Sequence, residues 1–329
     1  MLKHNLLAGV YVGGTSVSEE RSSRLPPEAD HVLILVNPTA GRGSAAGRVD
    51  SLVGLLRSRG FSVESFCNLK EACERANQAH RAGVLRAFVG VGGDGTAAQL
   101  VNRTDPGLPI CICPAGTANL LARCLRLPAS PQQLCDAIAD GSILKVDAGS
   151  ANGTIFLLMA GCGFDAHVVA EVHRQRQEMS AGRYSYWTYV KPIVRAIRSY
   201  QYPEIRVYWS NAASPESEAT LADPVRWAFA FNLPLYGWGL PLGCGADATD
   251  GMLDVCTFRH GSLWHGLRYL AAAQFHWQRR LPDCVVARAT RLRITAEQPV
   301  PYQLDGDPGG YLPLEIEVLP KRLTLIAPN

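Results

Sequence analysis

Residues 89–99 read VGVGGDGTAAQ, and four of the six residues from Gly90 to Gly95 are glycine. This spacing matches G-x-G-x-x-G, a pattern whose main-chain amides bind phosphate groups, although the match alone is weak evidence. Asp94 stands in the middle of the pattern. Two like charges about 4 Å apart repel by roughly 4 kcal/mol at an effective dielectric of ~20. A phosphate site here therefore needs a cation beside Asp94, and the alternative is a tight turn that serves close packing.

Nucleoside triphosphates bring such a cation, because they are bound together with Mg²⁺, and carboxylate oxygens are ligands of this hard cation. We therefore predict that glycine amides bind the phosphates and that Asp94 binds the metal. The P-loop pattern G-x-x-x-x-G-K-[ST] does not occur in the sequence, so that arrangement is excluded. A nicotinamide site is disfavoured, because the strand after the loop ends in Cys113-Pro114 and not in an acidic residue.

Strands and helices alternate along the first part of the chain and thereby predict where this loop lies. The continuous apolar run 32–36 is typical of a strand covered on both faces. Short connections to helical patterns then indicate a mostly parallel sheet between two helix layers. Ligands bind beyond the carboxyl ends of such strands. Three loops that contain glycine, residues 37–43, 92–96 and 114–119, are therefore expected to meet at one cleft.

Beyond about residue 145 the strands follow one another almost without helices, which predicts an antiparallel sandwich or half-barrel. Asn152-Gly153 is a hairpin signal, and the polar stretch 211–220 is predicted to be a mobile hairpin loop. The predicted fold class is α/β with two domains. Their predicted bounds are 1–29 for a mobile tail, 30–145 for the mostly parallel α/β nucleotide-binding domain and 146–329 for the β-rich domain, whose last strands are free to return toward the first.

Composition limits the function classes. The 329 residues are 47% hydrophobic and 19% charged, as expected of a folded protein. The formal net charge is only +3, and no run of Lys or Arg indicates a nucleic-acid groove. The ten cysteines form no C-x-x-C pair, which favours a reduced, cytoplasmic protein. No apolar stretch approaches the ~20 residues that span a bilayer.

Five further segments accompany GGDGT at 92–96. They are VNPTAGRG (36–43), PAGTANLLARCLRLP (114–128), VDAGSANGTIFLLMAGCGFDAHVV (146–169), ATDGMLDVCTF (248–258) and YQLDGDP (302–308). In this order they resemble the motifs of the diacylglycerol kinase catalytic-domain family, and most closely its soluble bacterial-type lipid kinases. That family belongs to a GGDGT superfamily with sphingosine kinases and NAD kinases. The resemblance covers about residues 30–320.

The resemblance implies ATP and Mg²⁺ as cofactors. The nucleotide-contacting residues that it implies are Asn37, Pro38, Gly41, Gly92, Gly93, Asp94, Gly95, Thr96, Gly116, Thr117 and Asn119. We also expect Thr117 to be the N-cap of the following helix. The family commonly has a threonine after the second strand, where Cys67 and Asn68 stand here. We expect Asn68 to make an altered nucleotide contact.

The D-G-x-L-D segment of the family carries a metal-linked aspartate, which corresponds to Asp250. Asp247 and the backbone of Met252 are spaced as further oxygen ligands of one hard cation. The resemblance thus implies a metal site formed by Asp247, Asp250 and Met252, in addition to Asp94. The alternative is a turn aspartate before Gly251.

Phosphoryl transfer to a hydroxyl needs a base that accepts the proton. Asp305 is the predicted base, with Asp307 as second choice, a position where the family often has glutamate. If residues 305–307 are extended, both carboxylates point the same way, and each would raise the pKa of the other. The alternative is a glycine-centred turn with two solvated acids.

These observations predict an ATP-dependent lipid kinase, most simply a diacylglycerol kinase, that meets its lipid substrate at the membrane surface. Residues 182–200 and the loop around Trp238 are candidates for lipid contact. A cytoplasmic protein associated peripherally with the membrane is expected, and a homodimer is left open. The alternatives are an NAD kinase and a catalytically silent nucleotide- or lipid-binding protein.

Overall fold

The computed structural model of the chain describes residues 23–36, 44–178, 190–211, 214–221, 223–237, 239–243 and 245–327. The predictions for Asn37, Pro38, Gly41 and Trp238 lie outside these residues. Within the described ranges, no helix is both long and apolar enough to cross a membrane.

The helices of the described residues are α1 (Ser44–Ser58), α2 (Leu69–Arg81), α3 (Asp94–Val101), α4 (Leu120–Cys124), α5 (Pro131–Asp140), α6 (Phe164–Glu178), α7 (Val190–Ser199) and α8 (Leu263–Gln274), with a 3₁₀ helix at Gln278–Arg280. The strands are β1 (Ser23–Arg24), β2 (His31–Val36), β3 (Ser62–Phe66), β4 (Leu85–Gly92), β5 (Pro109–Pro114), β6 (Ser142–Ala151), β7 (Thr154–Phe156), β8 (Met159–Gly163), β9 (Arg206–Asn211), β10 (Ser214–Thr220), β11 (Trp227–Phe231), β12 (Leu253–Phe258), β13 (Cys284–Ala289), β14 (Arg291–Thr295), β15 (Pro301–Leu304), β16 (Asp307–Tyr311) and β17 (Leu314–Ile326).

The first sheet contains a parallel unit in the order β5-β4-β2-β3. Successive residues of β2 pack against opposite helix layers, because successive side chains of a strand point to opposite faces of the sheet. Val32 and Ile34 pack in the core with α1 and α5. Leu33 and Leu35 pack in the core with α2 and α3. This double burial explains the continuous apolar runs in the sequence.

The long strand β17 joins the two halves of the molecule. It pairs in parallel with β5, where Leu325 faces Ile110, and antiparallel with β6. Farther along, β17 pairs with β14, which continues the sheet to β9 and β10. The last described strand is therefore an internal strand of the sheet that carries the glycine loops.

The second sheet has the order β13-β12-β11-β8-β15-β16, and all its pairs are antiparallel. One face packs on β9, β14 and β17 through a shared apolar core that includes Val207, Leu292 and Ile316. The predicted fold class, a parallel α/β unit followed by an antiparallel sandwich, is confirmed. The hairpin signal is confirmed as well, because Asn152 and Gly153 have positive φ and connect β6 to β7.

Candidate active site

The two glycine loops 92–96 and 114–119 lie against each other at the carboxyl ends of β4 and β5. The Ala115 amide donates a 2.9 Å hydrogen bond to the carbonyl of Gly92. A Cβ atom on Gly116 would lie 2.6 Å from the Cα atom of Gly93, which is closer than atoms can approach. Position 116 therefore needs glycine so that the two backbones can meet, and a Cβ atom on Gly93 would make a tight contact of 3.1 Å with the Cα atom of Gly116. The structure brings these two predicted loops together.

Asp94 connects these loops through its side chain. Its Oδ2 accepts a hydrogen bond from the Leu120 amide and its Oδ1 one from the Leu121 amide, both at 2.9 Å. These amides belong to the first turn of α4, where a negative charge also complements the helix dipole. The expectation that Thr117 caps this helix is wrong, because the N-cap position is Asn119. The metal role of Asp94 stays a prediction, since a carboxylate has about four acceptor sites and two are used here.

Asn119 fixes the shape of the second loop. It has left-handed backbone angles, with φ +48°, which asparagine tolerates better than most residues. Its Oδ1 accepts from the Gly116 amide at 3.0 Å, and its Nδ2 donates to the Gly116 carbonyl at 2.9 Å. The side chain thus closes its own loop. Its predicted nucleotide contact, and that of Thr117, stay predictions.

The first turn of α3 offers room for a ligand. A Cβ atom on Gly95 would have no protein atom within 4 Å, so the backbone there faces open space. Gly92, in contrast, packs directly against the buried side chain of Thr96. Free amides at a helix N-terminus attract anions. The glycine loop is therefore open at Gly95 and closely packed at Gly92.

Asp305 occupies the turn between β15 and β16, and its carboxylate is held by the start of β8. Its Oδ2 accepts from the Leu157 amide at 2.7 Å. Its Oδ1 accepts from the Leu158 amide at 2.7 Å and from the Met159 amide at 3.0 Å. Three main-chain donors thus fix one carboxylate. We call residues 157–159 the carboxylate cradle.

The pKa of Asp305 is raised to about 6. Loss of solvent around the carboxyl group is the largest cause, the three cradle amides oppose it, and the negative charge of Asp94 raises the pKa further. Because Asp94 acts on Asp305 through its charge, the two carboxylates share one electrostatic environment. The structure therefore joins the second domain's predicted base to the glycine loop of the first.

The condition under which both carboxylates would point the same way, an extended segment at 305–307, is not met. Asp305 and Gly306 both have positive φ, +51° and +90°, as in the two-residue turns of β-hairpins. Asp307 is exposed and pairs with Leu304 in the hairpin. The partner charge that raises the pKa of Asp305 is that of Asp94 and not that of Asp307. The proposed second base therefore faces solvent.

A buried polar network lies behind the turn and was missed in the sequence. Gln303 Oε1 accepts a 2.7 Å hydrogen bond from the Gly306 amide, and Gln303 Nε2 donates to Asp165 Oδ2 at 3.0 Å. The Tyr236 hydroxyl donates to the other Asp165 oxygen. Asp165 is 7% exposed, and burial raises the pKa of its carboxyl group. The network fixes the turn that carries Asp305.

The predicted metal residues Asp247 and Asp250 lie in a second group. Asp250 accepts from the Met252 amide at 3.0 Å and forms an ion pair with Arg288. Burial raises the pKa of Asp250, and Arg288 opposes this. Among the described residues, no three His, Cys, Asp or Glu side chains are arranged to hold a metal ion. Carboxylate oxygens suit Mg²⁺, but Arg288 already supplies a positive charge here, so the metal role of Asp247, Asp250 and Met252 stays a prediction.

Hydrogen bonds connect this second group to the carboxylate cradle. The buried Asp147 accepts from the Gly251 amide at 2.7 Å. Asn232 Nδ2 donates to the Asp147 carbonyl at 2.9 Å and to the Leu157 carbonyl at 2.8 Å. Asn232 Oδ1 is buried, and no described residue donates to it. Buried oxygens of this kind are usually satisfied by a donor or by ordered water.

Asn68 is used locally. Its Oδ1 accepts from the Lys70 and Glu71 amides at 2.9 and 3.2 Å, which makes it the N-cap of α2. This bonding pattern is typical of asparagine at a helix start. The altered nucleotide contact predicted for Asn68 stays a prediction.

Comparison with known proteins identifies the class that this fold and site define. Residues 31–151 match the family model of the diacylglycerol kinase catalytic domain, and residues 159–327 match that of the YegS C-terminal NAD kinase beta sandwich-like domain. The chain therefore belongs to the diacylglycerol kinase and YegS-like lipid kinase family, and the resemblance seen in the motifs is confirmed.

Named relatives agree with this assignment. A diacylglycerol kinase of Mycobacterium tuberculosis is 29% identical over 313 residues, which cover 92% of this chain and 96% of the relative. A diacylglycerol kinase of Bacillus subtilis is 23% identical over 304 residues, which cover 90% and 96%. The crystal structure of a diacylglycerol kinase from Bacillus anthracis shares the fold, with a TM-score of 0.63 at 18% identity over 91% of this chain and 97% of that one.

Proposed function

We propose that the protein is an ATP- and Mg²⁺-dependent lipid kinase that phosphorylates a lipid hydroxyl, with diacylglycerol as the first acceptor to test. Membership of the family and the names of its relatives support a phosphotransferase. One observation carries the assignment of the site. The carboxylate of Asp305 is fixed by three amides and lies within the electrostatic reach of Asp94 in the glycine loop.

In the proposed reaction the lipid hydroxyl oxygen forms a bond to the γ-phosphorus of ATP. The bond between that phosphorus and the bridging oxygen breaks, and its electron pair leaves with ADP. The hydroxyl proton passes to Asp305. Such transfer depends on positioning and on charge stabilisation more than on covalent chemistry by the protein.

Asp305 has the properties that a base in this reaction needs. Three of the roughly four acceptor sites of its carboxylate are used by the cradle, which leaves one for the substrate proton. A pKa of about 6 keeps most of the molecules ionised at neutral pH while making the group more basic than an ordinary aspartate. Asp307 has no such support, because it is exposed on β16.

The glycine loop supplies the nucleotide side of the proposal. The open backbone at Gly95 and the helix start at Asp94 suit the phosphates. Mg²⁺ would be held beside Asp94, and it would offset the negative charge of the triphosphate. We further propose that the protein acts in the cytoplasm, associated peripherally with the membrane that contains its substrate.

The test is incubation with labelled ATP and Mg²⁺ against diacylglycerol, phosphatidylglycerol, sphingosine and NAD. Label in a lipid product is expected. Label only in NADP would establish an NAD kinase, and ATP binding without any product would establish a silent binding protein. Asp305→Asn should lose at least about a hundredfold in kcat while it still binds ATP. Asp307→Asn is the matched control and should keep most of the activity; the reverse result would move the base to Asp307.

A further inference from the structure

Helix α8 and the turn that follows it expose an unusual amount of apolar surface. Of the eight large hydrophobic side chains that are exposed among the described residues, six lie between residues 263 and 277. Trp264 is the most exposed of all, at 79%. We call these six side chains the α8 face: Leu263, Trp264, Leu267, Leu270, Phe275 and Trp277. A contiguous apolar surface of this kind marks an interaction site.

The exposure is a property of a firmly packed helix. The opposite side of α8 is anchored by Tyr269, whose ring stacks on Phe258 at 4.2 Å between centroids. A Cβ atom on Gly266 would lie 3.2 Å from the Trp227 ring, so the helix lies close to the second sheet. Ser262 caps its start. The α8 face therefore points outward because the other side is fixed, and not because the helix is loosely packed.

The charged residues of the segment that carries the α8 face are all basic, and Arg259 at its start pairs with Asp223 of another segment. Residues 255–282 contain four arginines and three histidines but no aspartate or glutamate. Arg268 pairs with Asp283 and Arg279 lies 3.9 Å from Asp254, and both of these acids are buried. The arginine side chains themselves remain 45% and 58% exposed. Asp283 and Asp254 thus lie beneath the surface, and the guanidinium groups of their arginine partners lie on it.

We propose that the α8 face is the surface by which this protein docks onto an anionic lipid bilayer. Tryptophan, phenylalanine and leucine bury their apolar parts at the boundary between headgroups and acyl chains, and arginines bind the lipid phosphates. The proposal deepens the proposed lipid-kinase function, because it assigns the surface that meets the membrane holding the substrate.

A second copy of the chain is a poorer occupant. A two-fold dimer places the same patch on both sides of the interface. The arginines of one α8 face would then meet those of the other, and Asp283 and Asp254, which pair with Arg268 and Arg279, are buried and would offer no exposed negative charge to the second copy. An anionic bilayer would bury the apolar side chains of the α8 face and would bind the arginines beside it.

The α8 face is also connected to the candidate site. Gln278 Nε2 donates a 3.0 Å hydrogen bond to the carbonyl of Pro241. The loop that contains Pro241 approaches α4, because a Cβ atom on Gly239 would lie 2.6 Å from the guanidinium of Arg123. It begins at Tyr236, which bonds to Asp165 behind the Asp305 turn. A bilayer on the α8 face would therefore lie beside the loop that borders the site.

The test is co-sedimentation of the full chain with vesicles of phosphatidylcholine alone and of phosphatidylcholine with about one third phosphatidylglycerol. The wild-type protein should bind the anionic vesicles, and binding should fall at high salt. The double variant Trp264→Ser/Trp277→Ser should bind at least about tenfold more weakly. The matched control is Tyr311→Ser, which removes a side chain that is 65% exposed on β16, and it should bind like the wild type.

Circular dichroism and thermal melting test whether the double variant is still folded. Because both tryptophans are exposed, its melting temperature should equal that of the wild type. Equal binding by the double variant and the wild type overturns the proposal. A wild-type dimer that ignores vesicles and dissociates in the double variant overturns it in favour of a second copy. Vesicle binding needs no substrate, so binding without any lipid phosphorylation would reject the proposed function and still support docking.

Discussion

The negative charge of Asp94 raises the pKa of Asp305, although the two residues belong to different halves of the molecule. Each carboxylate is held by consecutive main-chain amides, Asp94 by two and Asp305 by three. The two acids are thus fixed by backbone and linked by charge.

The pH dependence of the reaction should report on Asp305. Because the ionised carboxylate is the proposed base, kcat/KM should rise as pH increases through about 6, the pKa of this group. Asp94→Asn removes the charge that raises this pKa, so the rise should move to lower pH. The measurement is a pH profile from 5 to 8, with carboxyl NMR of Asp305 as an independent readout. A profile without a step in this range would remove Asp305 from the role of base.

Asp94 should contribute to stability as well as to nucleotide binding. Asp94→Ala leaves the first amides of α4 without their acceptors and should lower the free energy of unfolding by about 1–2 kcal/mol. Asp94→Asn keeps one acceptor oxygen and should lose less stability, although it removes the negative charge on which the proposed Mg²⁺ binding depends. Urea unfolding and Mg²⁺ titration separate the two effects. If Asp94→Ala has the same urea midpoint of unfolding as the wild type, the role of Asp94 in capping α4 is excluded.

The contact between the glycine loops should be sensitive to a single methyl group. Gly116→Ala places a Cβ atom against Gly93 and should cost about 1–3 kcal/mol, together with a weakened affinity for ATP. Gly47→Ala, on the exposed side of α1 with no atom within 4 Å of the new Cβ, is the control and should be neutral or slightly stabilising. Thermal melts and nucleotide titrations would show the difference. Equal effects at the two positions would mean that the loops can separate freely.

Gln303 should act as a positioning residue. Gln303→Met removes the acceptor of the Gly306 amide and the donor to Asp165, so the Asp305 turn should become less well fixed. We expect kcat to fall by about tenfold while the KM for ATP stays the same, because misplacement affects the reacting geometry. Gln132→Met, at an exposed position of α5, is the matched control. A change in the KM for ATP without a change in kcat would contradict the positioning role.

The strands around the site could be predicted because both of their faces are buried. The run from Val32 to Leu35 is apolar at every position, and this pattern gave the parallel sheet and the location of its loops. In contrast, residues 214–220 were predicted to belong to a mobile hairpin loop, and they form β10. Among the described residues β10 pairs with β9 alone, and the charged and proline residues of its sequence SPESEAT are of the kind that keep an edge strand from pairing with another chain.

The side-chain contacts of the site could not be predicted from the pattern of apolar residues. The bond between Asp94 and Leu120 joins residues that are distant in sequence, and no local pattern encodes it. The Asp305 turn did have a signal, since Asp-Gly between two strands is typical of a hairpin. The prediction that both carboxylates point the same way if residues 305–307 are extended did not use that signal. The network of Gln303 and Asp165 has no sequence signature, because each residue alone could be an ordinary surface group.

The pairing of β17 with β5 has a consequence for biosynthesis. Ile110 leaves the ribosome long before its partner Leu325 is made. At ~5–20 residues per second the delay is roughly 10–40 s. During this time the β5 edge lacks its native neighbour and could pair with a foreign strand. The parallel sheet is therefore completed only by the last described strand, and a fragment that stops before β17 should depend on chaperones or aggregate.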